Sequence, residues 1–363
     1  MQDIYKNNFI IITLLIIVAL SGCHRSNDKT AIFQKKRNRA VDFEDEIIDL
    51  PDMLPVNYCA EIKIINDLLF IKDVNANHKG LYVYNKSNFK YITSTGYIGK
   101  GPGEIGVFGA IVPMVHRNAF LMTDFAKRII YRFDIDSILN DSIYKPIKVS
   151  NLDRIKPEIG SDYNFCWRMK SINDTMFLAV GVMIRKNSIY AQFLAKYNIL
   201  TKDIEKVSFN PSTSVEDIKK GTLIFYDLSL KDKLITKSYA NSDLITILNL
   251  KGDVLYNIYG PEWGKNTNGK KTYFGPISIT DKYIIASYTG ENTFFFDEFK
   301  RPHFSWPKKF IVFDLNGKYI TTIDTKHRMT AWCVDEKNKR IIAYFDDRDV
   351  EFGYFNIDFL DKL

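Results

Sequence analysis

Phe310-Ile311-Val312-Phe313-Asp314-Leu315-Asn316-Gly317-Lys318-Tyr319-Ile320 reads as an aromatic and aliphatic strand ending in Asp, a tight turn, and a second strand. The unit recurs along the chain. Leu81-Tyr82-Val83-Tyr84-Asn85 turns into Phe89-Lys90-Tyr91-Ile92, and Ile245-Thr246-Ile247-Leu248-Asn249 runs through Leu250-Lys251-Gly252-Asp253 into Val254-Leu255-Tyr256. Ile130–Asp134, Leu194–Asn198 and Phe352–Asn356 complete six copies. Their last residues fall at Asn85, Asp134, Asn198, Asn249, Asp314 and Asn356, spaced by about 54 residues on average. Further short extended runs precede the hairpins, among them Leu68–Ile71, Thr175–Leu178, Tyr283–Ala286 and Arg340–Ala343. Repetition at that period predicts a six-bladed β-propeller, whose closure removes exposed sheet edges.

The composition agrees. The 363 residues are 46% hydrophobic and 26% charged, which excludes wholesale disorder and a multi-span membrane protein. With 26 Phe, 21 Tyr and 4 Trp, the chain favours strands. No long stripe at helical spacing appears, and only Pro211–Lys220 reads as a short helix. The chain ends soon after the sixth hairpin's first strand. Its last blade therefore needs a strand from near the start of the body, either Glu46–Leu50 or Tyr58–Ile65.

Upstream of the body lies an address. Lys6 precedes an apolar run from Phe9 to Leu20, followed by Ser21-Gly22-Cys23. Twelve residues span about 18 Å as a helix, too short for a bilayer core of about 30 Å but suited to a signal peptide over 1–22. Leu20-Ser21-Gly22-Cys23 resembles the lipobox of bacterial lipoproteins, and that resemblance implies acylation of the Cys23 thiol. It also implies an outer-membrane location, because His24 rather than Asp follows the Cys.

Residues 23–45 read as a flexible tether. Arg25, Lys29, Lys35, Lys36, Arg37 and Arg39 face only Asp28 up to Ala40, followed by an acidic run from Asp42 to Asp52. The overall net charge of +7 sits mostly in this stretch. The body over 46–363 is close to neutral, so nucleic acid is not an expected partner. Cys59, Cys166 and Cys333 form no CxxC pair, and the latter two, each beside a Trp, read as small core residues without a disulfide.

The lipobox, the six hairpins and Gly96-Tyr97-Ile98-Gly99-Lys100-Gly101-Pro102-Gly103-Glu104 together resemble the TolB-like six-bladed propeller lipoproteins of the Bacteroidetes envelope. That resemblance implies architecture and location, without an activity.

Chemistry-bearing motifs are sparse. Gly101–Gly106 matches GxGxxG formally, but a strand-like Val107–Pro113 follows where a dinucleotide site needs a helix. The loop reads instead as an inter-blade turn presenting a Lys100/Glu104 charged pair, with Gly101 and Gly103 supplying the bend. Gly260-Pro261-Glu262-Trp263 echoes it, so Lys100, Gly101, Gly103, Glu104, Glu262 and Trp263 are the candidate partner-binding residues. Gly264–Lys271 lacks the P-loop Ser/Thr and reads as a mobile basic loop. Asp73, Asn75 and Asn77 begin like a calcium loop, but His78 and Tyr84 stand at positions that require Gly and Glu. No HExxH or GxSxG occurs, and neither a metal nor a cofactor is expected. Trp263, Trp306 and Phe294-Phe295-Phe296 lie in the longest inter-hairpin stretches, where burial between blades is the commoner fate of aromatics.

The expectation is a lipid-anchored, non-enzymatic module that binds an envelope protein or glycan. The alternative is a polysaccharide hydrolase or lyase with carboxylates in the central channel.

Overall fold

The computed structural model describes residues 30–152, 163–185, 188–207, 223–265 and 270–363. Residues 1–22, read above as a signal peptide, Cys23 and the short helix expected over Pro211–Lys220 lie outside the described residues.

Three short strands, β1 (Ala31–Phe33), β2 (Ala40–Asp42) and β3 (Ile48–Asp49), precede the first blade. Blade 1 is β4 (Cys59–Ile65), β5 (Leu68–Asp73), β6 (Lys79–Asn85) and β7 (Tyr91–Tyr97). Blade 2 is β8 (Val112–Pro113), β9 (Ala119–Asp124), β10 (Ile129–Asp134) and β11 (Ile147–Asn151), with α1 (Ile135–Asn140) before its last strand. Blade 3 is β12 (Tyr163–Ser171), β13 (Met176–Arg185), β14 (Ser188–Asn198) and β15 (Ile204–Lys206). Blade 4 is β16 (Ile224–Ser229), β17 (Leu234–Tyr239), β18 (Leu244–Asn249) and β19 (Val254–Tyr259). In blade 5, β20 (Lys271–Ile279) and β21 (Tyr283–Asn292) are separated from β24 (Lys309–Asp314) and β25 (Tyr319–Asp324) by a hairpin of β22 (Phe294–Phe296) and β23 (Pro302–Phe304). Blade 6 joins β26 (Met329–Asp335), β27 (Arg340–Phe345) and β28 (Phe352–Asn356) to β3.

All six hairpins read from the sequence start on the third strand of a blade. The missing strand comes from the first of the two expected segments. Ile48 and Asp49 pair antiparallel with Tyr354 and Gly353, while Tyr58–Ile65 instead supplies the first strand of blade 1.

Each of the six apolar clusters lies between two neighbouring blades. On β27, Ile341, Ala343 and Phe345 pack toward blade 5, while Ile342 and Tyr344 pack toward blade 1. On β24, Phe310 and Val312 face blade 6 and Ile311 and Phe313 face blade 4. Strand pleating sends alternate side chains to opposite neighbours, so central strands are apolar on both faces. This explains their continuous apolar runs.

Of the tether expected over residues 23–45, residues 30–45 are not free, as their composition suggested, and residues 23–29 lie outside the described residues. From Thr30 onward the chain is laid along the outside of the ring. Strand β1 pairs parallel with β19 and β2 parallel with β25, each adding a fifth strand. Arg37 is clamped between them. Its Nη2 lies 2.7 Å from the fully buried Asp243, and its guanidinium is 4.9 Å from the Tyr288 ring centroid. Backbone pairing and one buried ion pair add here to the packing of Ala31, Ile32, Val41 and Phe43 against the blades.

Candidate functional site

Connections between blades share one face of the ring, the upper face, with the loops joining the second and third strands of each blade. The Gly-Pro-Gly-Glu loop links β7 to β8 there. Glu104 turns inward, accepting the Gly101 amide at 2.7 Å, and Lys127 Nζ donates to the Gly101 and Glu104 carbonyls at 2.8 and 2.7 Å. The expected Lys100/Glu104 pair does not form; Glu104 instead tightens its own turn. Gly103 sits at φ +73°, and a Cβ there would meet the Lys145 side chain at 2.8 Å. Asp124, at the end of β9, fixes the far side of the loop by accepting the Gly106 and Val107 amides at 2.9 and 3.1 Å.

The Gly260-Pro261-Glu262-Trp263 connection has equivalent placement after blade 4. The Glu262 amide donates to Asp243 at 3.0 Å, and a Cβ on Gly260 would lie 2.1 Å from that carboxyl carbon. Glu262 pairs with Lys265 at 2.6 Å and Lys271 at 3.6 Å. Trp263 packs onto Tyr259, ring centroids 4.9 Å apart, in the cluster between blades 3 and 4. Both loops therefore hold their candidate residues chiefly in local architecture. Residues 266–269 of the basic loop lie outside the described residues. Asp73 occupies a turn, where its carboxylate accepts the amides of Asn57, Tyr58 and Asn75 at 2.8–3.1 Å.

The most exposed aromatic surface lies on the β22–β23 hairpin, which projects from the same face. Against the expectation of burial between blades, Phe294, Phe295 and Phe296 are exposed, as are Phe299 and Phe304; Trp306 is half-buried. The hairpin is an insertion beyond the four strands of blade 5, so no neighbouring blade covers it. Phe294 pairs with Phe304 and Phe296 with Pro302, which places these four on one side of the pleat. On the other side, Phe295 stacks on His303, with the Arg328 guanidinium 5.6 Å from the Phe295 ring. Asp297 closes the turn by accepting the Phe299 and Arg301 amides at 2.9 and 2.8 Å and pairing with Arg301 and His303. Phe296 and Phe299, 67% and 69% exposed, form the tip. In sequence, a three-Phe run looks like a core strand; only its surplus over four strands per blade marks it as an outgrowth.

At the axis the first strands of the blades converge. Glu61 of β4 accepts from Lys72 at 2.7 Å and from the Ile111 amide at 3.1 Å. Asp227 of β16 pairs with Lys170 of β12 and accepts the Leu228 and Ile279 amides at 2.9 and 2.8 Å. Burial opposes charge on Asp227, but Lys170, Lys63 and the Ile279 amide outweigh it and hold the carboxyl below the usual range. Arg168 donates to the Ile224 carbonyl at 3.0 Å, and burial lowers its pKa to about 10. Axial carboxylates thus come from blades 1 and 4, on opposite sides of the ring, and each is tied to a lysine and to backbone amides. Among the described residues no three His, Cys, Asp or Glu side chains gather as a metal site. Cys59 and Cys166 are buried and Cys333 half-buried, all as free thiols, and burial raises the Cys166 and Cys333 pKa values to about 12.

Six blades of four strands packed face to face around one axis, two of them extended by a strap strand and the last completed by Ile48–Asp49, define a six-bladed β-propeller. The chain belongs to the TolB-like 6-blade propeller-like family, whose model matches residues 33–337. It is similar in fold to a member of the duf4221 family from Bacteroides vulgatus, at 10% identity and TM-score 0.55, over 86% of this chain and 98% of that one. It is likewise similar to the calcium-binding protein regucalcin from Agrobacterium tumefaciens, at 8% identity and TM-score 0.53, over 88% and 95% of the two chains. No curated protein matches the sequence.

Proposed function

We propose that this propeller is a lipid-anchored binding module of the bacterial cell envelope that docks a protein partner through its upper face. One observation carries the reading: Phe294, Phe296, Phe299 and Phe304 stand exposed on a single projecting hairpin. A two-stranded hairpin is marginal by itself, and a contiguous apolar surface on an otherwise well-packed molecule marks a contact site. The mix of Phe with Arg301 and His303 suits a protein interface, where aromatics and Arg supply the anchoring contacts. A glycan would favour a free indole platform, but Trp263 is packed against Tyr259. Location rests on the signal-like segment and the lipobox ending at Cys23. The alternative, polysaccharide cleavage at the axis, has less support, because a general acid needs a raised carboxyl pKa and Asp227 is held low.

The test expresses the tagged, full-length protein in its own envelope, crosslinks it, and compares wild type with F296S/F299S/F304S. We expect the triple variant to keep its melting temperature and stay in the membrane fraction but to lose its crosslinked protein partners. An unchanged crosslinking pattern overturns the docking site. Separately, Cys23→Ala should move the protein from the detergent phase to the soluble fraction; unchanged partitioning refutes the anchor.

A further inference from the structure

Thr30 is fastened to the outer wall of the ring, where its carbonyl accepts the Asn257 amide of β19 at 2.7 Å. Cys23, read above as the point of acylation, lies seven positions earlier. Seven residues reach at most about 25 Å when fully extended. A folded body of this length has a radius of gyration of about 20 Å, and so a width of about 50 Å. An acyl chain on Cys23 therefore keeps blade 4 near the bilayer and excludes an orientation with the opposite wall, at blade 1, against it. What the wall of blade 4 carries selects among the orientations that remain.

On β1, Ile32 packs into the cluster between blades 4 and 5, whereas Phe33 stays 66% exposed. The Phe33 ring is held in place, stacked on Tyr259 with centroids 4.7 Å apart, and the Gln34 amide donates to the Tyr259 carbonyl at 2.9 Å. Lys35, Lys36 and Arg39 follow, exposed on either side of the clamped Arg37. None of these three side chains makes an ion pair or hydrogen bond among the described residues. Carboxylates on the adjoining elements have other partners: Asp243 has Arg37, Glu262 has Lys265 and Lys271, and Asp42 has Lys326. The acidic run that begins at Asp42 sits further round the ring, beside β25 and β28. An exposed aromatic ring next to unpaired cations suits a membrane interface, with the ring among the headgroups and the cations against lipid phosphates.

We propose that the outer wall of blade 4 is a membrane-docking surface, on which Phe33 enters the headgroup region of the anchoring bilayer while Lys35, Lys36 and Arg39 pair with anionic phospholipids. This rests on the lipid anchor proposed above, which supplies the local concentration that so small a patch needs. The ring then stands on its edge. Its upper and lower faces are both open to partners, and blade 1 points away from the lipid.

The test reconstitutes the lipidated, full-length protein into liposomes of phosphatidylcholine and phosphatidylglycerol and floats them on a density gradient. An environment-sensitive dye on Phe33→Cys is expected to be quenched by doxyl-labelled lipid at least about fivefold more than the same dye on Lys90→Cys of blade 1. Wild type treated with the dye is the blank for Cys59, Cys166 and Cys333. Lys35→Glu with Lys36→Glu, or liposomes of phosphatidylcholine alone, should reduce the quenching at least about threefold. If the dye at residue 33 lowers the melting temperature, Asn38→Cys, also exposed on the strap, gives the same readout. Protein that floats but is quenched equally at both positions overturns the docking surface and leaves the anchor standing. Quenching that is indifferent to charge reversal overturns the pairing with anionic lipid. Protein that does not float overturns the anchor, and this orientation with it.

Discussion

Asp124 shows how a single residue organises this surface. It is fully buried, and it accepts amides from both loops it joins: Gly106 and Val107 on the inter-blade connection, Ala126 and Lys127 on its own turn. Asp73 plays the same part in blade 1, and Asp347 accepts the Arg328 amide at 3.0 Å in blade 6. Removing a shared acceptor deprives four amides of a charged partner at once, and each hydrogen bond to a charged group contributes about 1.5–3 kcal/mol. We therefore expect Asp124→Ala to destabilise the protein by about 3 kcal/mol or more, with Asp124→Asn intermediate, as read from urea unfolding midpoints. A loss below about 1 kcal/mol would mean that water replaces the carboxylate. The sequence shows an Asp at the end of a strand but not its partners. Those amides lie 17 and 18 positions upstream on a separate loop, and only the fold brings them together. The same limit made Glu104 look like a presented charge when it closes its own turn.

Among elements, the N-terminal strap departs furthest from what its composition conveys. A segment with six basic residues and few large apolar ones has too little to bury for independent folding. From Thr30 onward it is ordered because β19 and β25 offer unpaired outer edges, to which an extended backbone can add. One side chain then locks the register: Arg37 against Asp243, stacked over Phe274 and Tyr288. Breaking a buried pair from one side leaves an uncompensated charge, at a cost of about 3–5 kcal/mol. We expect Arg37→Ala to lose roughly 3 kcal/mol in chemical denaturation. Combined with Asp243→Asn, the total should fall well short of the sum of the single losses, because the second change removes the stranded charge. Strict additivity would show that the two side chains are not coupled. The β22–β23 hairpin fails the same reading in the opposite direction. Three consecutive Phe residues spell a core strand, and only the count of four strands per blade reveals them as surplus.

At the scale of the molecule, the repeat was readable because each blade presents the same hairpin on its third strand, whatever its loops do. Intervals alone left the architecture open, since insertions such as α1 and β22–β23 stretch them. The manner of closure follows from chain topology. Blade 6 takes its outer strand from Ile48–Asp49, and the Leu50 amide extends the pairing to the Phe352 carbonyl at 2.9 Å. The segment before blade 1 and the last blade are thereby stitched together beside a strap that already crosses blades 4 and 5. Each blade buries both its faces against neighbours, so opening one junction exposes two apolar surfaces and a sheet edge. A soluble chain beginning at residue 30 retains the whole described strap and should melt in a single transition. One beginning at residue 40 loses β1 and Arg37 and should melt at a lower temperature. One beginning at residue 51 also loses β2 and β3, and should melt lowest and self-associate through the freed β28 edge. Calorimetry with size-exclusion chromatography distinguishes these outcomes. If the shortest chain stays monomeric and melts with the longest, the ring holds itself closed by apolar packing between blades 6 and 1 alone, and the N-terminal stitch contributes nothing to closure.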